Sequence, residues 1–163
     1  MRKLDVGQLA AILANVGVIA SLVFVGVQVR QEAAATRAAT ILQLKDSWVQ
    51  LNLAEATSLD LSEAFESAET KGWDGASAVE KRLVAGHFRT LFHNWSNAYY
   101  QYENGTLDEN QWKAYAREAQ TAARSPLIQQ VWSEWNYVYD DRFRGLMNGF
   151  IAESEVDTNG QVR

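Results

Sequence analysis

The chain has 163 residues, enough for one domain with an appendage, and carries fifteen Lys and Arg against twenty Asp and Glu, a net charge of -5. That acidic balance, with no local basic stripe, argues against nucleic acid as a partner. The absence of cysteine removes disulfides, thiolate metal sites and a cysteine nucleophile, while the single proline, Pro126, and abundant Ala, Leu, Gln and Glu favour an all-α fold.

From Val6 to Val29 there are 24 consecutive uncharged residues, mostly Leu, Ile, Val and Ala. A helix rising about 1.5 Å per residue needs roughly 20 apolar residues to cross a bilayer core. Residues 1–30 therefore read as a transmembrane anchor. The stretch is longer than the roughly 7–15 apolar residues of a secretory signal, so cleavage is not expected. A core helix of a soluble domain would carry a polar face, but Asn15, Ser21 and Gln28 are scattered along the stretch. Ala10 with Ala14 and Gly17 with Ser21 are small-xxx-small pairs that let helices approach closely. Asn15 adds a side chain able to hydrogen-bond across such a contact for about 1 kcal/mol. These five residues are the candidate packing surface for other transmembrane helices. Orientation is nearly balanced by charge, with Arg2 and Lys3 on one side and Arg30, Arg37 and Lys45 on the other.

No helix breaker follows the span, so the helix is expected to continue as a stalk to near Ala56. Its apolar positions Ile41, Leu44, Trp48 and Leu51 alternate by three and four, which gives it one packing face. The helical domain, stalk included, is placed at residues 31–153. Next comes a short helix with Asp60 as its cap, then a turn at Gly72 and Gly75. Seven acids and one base between Glu55 and Glu80 make this a solvated acidic face. Ser77 and Glu80 form a capping box that opens a helix with Val84, Phe88, Leu91, Trp95, Ala98 and Tyr102 on one side. It is expected to end at Asn104-Gly105. Thr106 and Glu109 suggest another capping box, ahead of Trp112, Tyr115, Ala116 and Ala119. Ser125-Pro126 starts a helix expected to bury Ile128, Val131, Trp132, Trp135 and Val138. A last helix from Asp141 turns Phe143, Met147, Phe150 and Ile151 inward, and residues 154–163 are expected to form a flexible tail. The soluble part thus reads as a bundle of about four to five helices.

Little in the chain points to catalysis. His87 and His93, six apart, fall on opposite sides of a helix and cannot act as an i, i+4 metal pair. No phosphate-binding loop, nucleophile elbow or dinucleotide fingerprint is present, so no metal, cofactor or catalytic residue is assigned. Six Trp and six Tyr are the compositional oddity. Such side chains suit core, pocket and interface equally. Trp95, Tyr99, Trp132 and Trp135 are the candidate lining of a ligand pocket. Consecutive tyrosines cannot all face one core, so Tyr100 is expected to look outward and, with Trp73 and Tyr137, to mark a contact surface.

The stretches "VIASLVFVGVQVRQEAAATRA", "NAYYQYENGTLDENQW" and "SPLIQQVW" resemble a family of small uncharacterised bacterial proteins, over most of the chain. The resemblance implies an N-terminal transmembrane helix and a helical domain. It also implies, through basic residues after the span such as Arg30 and Arg37, a cytoplasmic domain at the inner membrane. Arg2 and Lys3 ahead of the span depart from that pattern.

The leading expectation is a single-pass membrane protein that acts by association, as a homo-oligomeric scaffold or an accessory subunit of a larger membrane complex. The alternatives are a membrane-anchored bundle that senses a small ligand and a pore formed by oligomerised spans.

Overall fold

The computed structural model describes the backbone of residues 6–160, and the side chains of these except 6, 9, 11 and 155–160. Arg2 and Lys3, and residues 161–163 of the expected tail, lie outside the described residues. The described chain is all-helical: α1 (Val6–Thr57), α2 (Leu59–Gly75), α3 (Ala78–Glu103), α4 (Glu109–Ala122), α5 (Pro126–Trp135), a 3-10 turn (Asn136–Val138) and α6 (Asp141–Gly160). Contacts divide the chain after Ala39 into two units.

The first unit holds most of α1. One stretch of that helix is long and apolar enough to cross a membrane, with a mean hydropathy of 2.2 over its best window, and none of that window is buried.

The second unit, from Thr40, contains the core. α3 is its spine, packing on α2, α4 and α5. Phe92, Trp95, Val84, Val131, Phe143 and Met147 are almost wholly buried. Each large apolar side chain removed from water in this way contributes about 1.5–3 kcal/mol. Leu51 joins this core, whereas Leu44 packs with Ala98 and Leu107 in a second cluster flanked by Ile41, Tyr102, Trp112 and Tyr115. The alternating face expected over Ile41 to Leu51 is therefore used.

Helix starts follow local chemistry. Ser77 accepts from the Glu80 N–H at 3.3 Å and its own N–H donates to Glu80 Oε2 at 2.5 Å, completing the expected capping box. Hydrogen bonding from the Ser77 backbone N–H, and then from its side chain, holds the Glu80 carboxyl down to about 2. Gly105, at φ +72, ends α3 in the left-handed conformation that costs a residue with a Cβ more. Pro126 opens α5 as expected.

Four local expectations are corrected. α2 is capped by Ser58, whose Oγ accepts from the Leu61 N–H, and Asp60 sits within the first turn. The helix is also longer than expected, running through Gly72, which breaks the helical path at φ +75. α4 is capped by Asp108, which accepts from the Asn110 and Gln111 N–H groups at 2.9 and 3.0 Å. Thr106 does not take that role, and its hydroxyl donates back to Gln101 of α3. Val138 is exposed, since α5 stops at Trp135 and the 3-10 turn changes the phase of the residues that follow. α6 runs to Gly160, and Ser154 is buried with its Oγ donating to the Ile151 carbonyl at 2.7 Å.

Candidate functional site

The apolar surface of α1 is the largest uncovered feature among the described residues. Between Ile12 and Val29, eleven large apolar side chains are each between 47 and 66 % exposed. Ala10, Ala14, Gly17 and Ser21 are exposed too, and at about 100° per residue they form one narrow row. A Cβ added to Gly17 would meet nothing within 4 Å. The Ser21 hydroxyl donates to the Gly17 carbonyl at 2.9 Å, so it is satisfied inside its own helix. Asn15 lies on a different side from that row, and its side chain has no hydrogen-bond partner among the described residues. The five expected packing residues therefore present two faces, one small and one polar.

Of the expected contact residues, Tyr137 is 67 % exposed and stacks on Trp135. Trp73 is half-buried against the core, and its indole N–H donates to Glu134 Oε1 at 2.8 Å. Tyr100, expected to look outward, is half-buried beside Tyr99 and Arg142, with its hydroxyl buried and unpartnered. Arg142 comes from α6, a neighbour that the periodicity of α3 cannot reveal.

The four expected pocket residues divide differently. Phe92 packs between Trp95 and Trp132, at ring distances of 5.9 and 5.2 Å, and Phe143 packs between Tyr99 and Trp132 at 6.2 and 5.9 Å. Trp95 and Trp132 are buried in the core, at 1 and 2 % exposed. Trp135 is half-buried against the core, with the Arg89 guanidinium 3.9 Å from its ring centre.

Among the groups of the helical unit with altered proton affinity are a buried imidazole and a half-buried carboxyl. His87 of α3 is buried against Phe65 and Phe88, with Nε2 3.5 Å from Glu55 Oε2. Burial lowers its pKa and the Glu55 charge opposes that shift. Glu118 of α4 is the second. Burial pushes its carboxyl up to about 7, against the pull of the Trp95 indole N–H, which otherwise has no hydrogen-bond partner. Burial, reinforced by the Glu118 charge, also raises the Tyr115 hydroxyl.

Glu118 lines an open cavity of about 440 Å³ with Lys45, Trp48, Asn110, Gln111, Ala114 and Tyr115. The last part of α1 supplies one wall and α4 the other. Neither Lys45 nor Glu118 has an ion-pair partner among the described residues. The aromatic content of the sequence pointed to this unit, but the pairing of residues 45–48 with 110–118 is non-local and left no spacing signal. No group of three or more His, Asp and Glu among the described residues is placed to hold a metal ion.

No family model, curated protein or solved structure matches the chain, so its functional reading rests on its own residues and geometry.

Proposed function

We propose that this is a single-pass protein of the bacterial inner membrane whose helical bundle acts by association, either as a homo-oligomeric scaffold or as an accessory subunit of a larger membrane complex. The observation that supports it best is the uncovered apolar surface from Ile12 to Val29. Each large apolar side chain left in water forgoes about 1.5–3 kcal/mol of burial, and eleven in one helix form a surface that lipid or neighbouring helices would cover. The row Ala10, Ala14, Gly17 and Ser21 supports a close helix contact, because association in lipid depends on packing rather than on water exclusion. Arg30 and Arg37 after the span support a cytoplasmic helical domain, set against Arg2 and Lys3 ahead of it.

The test is extraction of the tagged native protein from its own membranes, first with alkaline carbonate and then with mild detergent. Retention in carbonate is expected; release would overturn the span. In detergent, a particle at a multiple of 18.3 kDa identifies a homo-oligomer, and other polypeptides in fixed ratio identify an accessory subunit. A lone monomer overturns association. In an associating particle, Gly17→Leu should reduce the associated fraction by blocking close approach at a position now open.

A further inference from the structure

The cavity between the last part of α1 and α4 contains a combination that packing alone does not require. A carboxyl at Glu118 is half-buried without an ion-pair partner, and a cation at Lys45 lines the same space unpaired. Partly desolvating a carboxyl is unfavourable unless hydrogen bonds or an opposite charge compensate, and here the only polar support is the otherwise unpartnered Trp95 indole N–H. Lys45 does not supply that charge, since its ammonium makes no salt bridge with Glu118. The same cavity is lined by the rings of Trp48 and Tyr115 and by Asn110 and Gln111. The lining therefore combines aromatic rings with one positive and one negative group.

We propose that this cavity binds a small zwitterion, with the ligand ammonium at Glu118, its carboxylate at Lys45 and its carbon chain against Trp48 and Tyr115. An ammonium placed at Glu118 restores the electrostatic stabilisation that burial removed, and the neighbouring ring faces favour a cation as well. A carboxylate alone would meet Lys45 but leave Glu118 uncompensated. An amine alone would satisfy Glu118 while leaving the cation at Lys45 to repel it. The zwitterion is the one class that matches both charges.

Isothermal titration calorimetry of the full chain in detergent tests this with three zwitterions of increasing length, glycine, γ-aminobutyrate and ε-aminocaproate, and with butylamine and butyrate as half-ligands. At least one zwitterion is expected to saturate one site per chain, with each half-ligand weaker by about tenfold or more, the equivalent of about 1.4 kcal/mol. Glu118→Gln, which keeps shape and removes charge, and Lys45→Met should each weaken that zwitterion by a similar factor while the thermal unfolding transition remains cooperative. Saturable heat from none of the three zwitterions overturns the proposal. So does undiminished binding in both variants, or butylamine binding as tightly as the zwitterions, which would make the site one for amines.

Discussion

Two stretches of α1 are similarly rich in apolar residues and have opposite fates. From Ile12 to Val29 every large apolar side chain is exposed, whereas Leu44 and Leu51 are 2 and 7 % exposed in the helical unit. The difference is pattern. Around the first stretch apolar residues occupy every side, so no single face is marked for a protein neighbour. In the second, Ile41, Leu44, Trp48 and Leu51 alternate by three and four between polar residues, and only that row is covered, while Leu42 and Val49 beside it remain exposed. Hydrophobicity alone does not predict burial within this chain; its periodicity does.

The largest effect that could break this comparison is loss of a ring from the core. Phe92→Ala should destabilise the helical unit by about 3–5 kcal/mol, because Phe92 touches Trp95, Trp132 and Tyr139 and a cavity would remain. Leu22→Ala should leave the denaturant midpoint within about 0.5 kcal/mol of the parent, as expected of an exposed site. Equal losses measured by chemical denaturation would show that the exposed stretch carries folding energy, contrary to its burial. A smaller change is expected at the start of α3: Ser77→Ala removes the cap and should cost about 1 kcal/mol in the same measurement.

The smallest effect is a tilt in the dependence of stability on pH. The Glu118 carboxyl, raised to about 7, binds its proton more tightly in the folded state, so its contribution is present below about 4.5 and is lost as pH rises through about 7. Tyr115, Lys45 and the Trp95 indole surround it. His87 acts in the opposite sense. With its pKa lowered by burial and only partly restored by Glu55, its contribution is present above about 6.5 and is lost on acidification. Glu118→Gln should therefore remove the fall in stability between pH 4.5 and 7 while leaving the loss at acid pH, as read from thermal unfolding across that range.

Where the fold depends on contacts a few residues apart, it was legible in the sequence. The Ser77–Glu80 box, Pro126 at the first turn of α5 and Gly105 after α3 all act through such bonds or through backbone freedom. Legibility failed where two residues competed for one local role, as when Ser58 rather than Asp60 and Asp108 rather than Thr106 took the caps. It also failed where a partner was distant in the chain. Tyr100 is covered in part by Arg142, and Glu118 shares its cavity with Trp48. The aromatic clusters of the sequence marked Trp95 and Trp132, but the ring that joins them, Phe92, was not among the marked residues.

The same rings give the protein an optical signature. Trp132 lies nearly parallel to Tyr139 and edge-on to Phe92, in surroundings with no mirror symmetry. Chromophores held this way absorb left- and right-handed circularly polarised ultraviolet light unequally, and the inequality vanishes once the rings rotate freely even if the helices persist. Near-ultraviolet dichroism thus reads the order of the interior, and far-ultraviolet dichroism the helices, so one sample reports loosening of the core before the backbone melts.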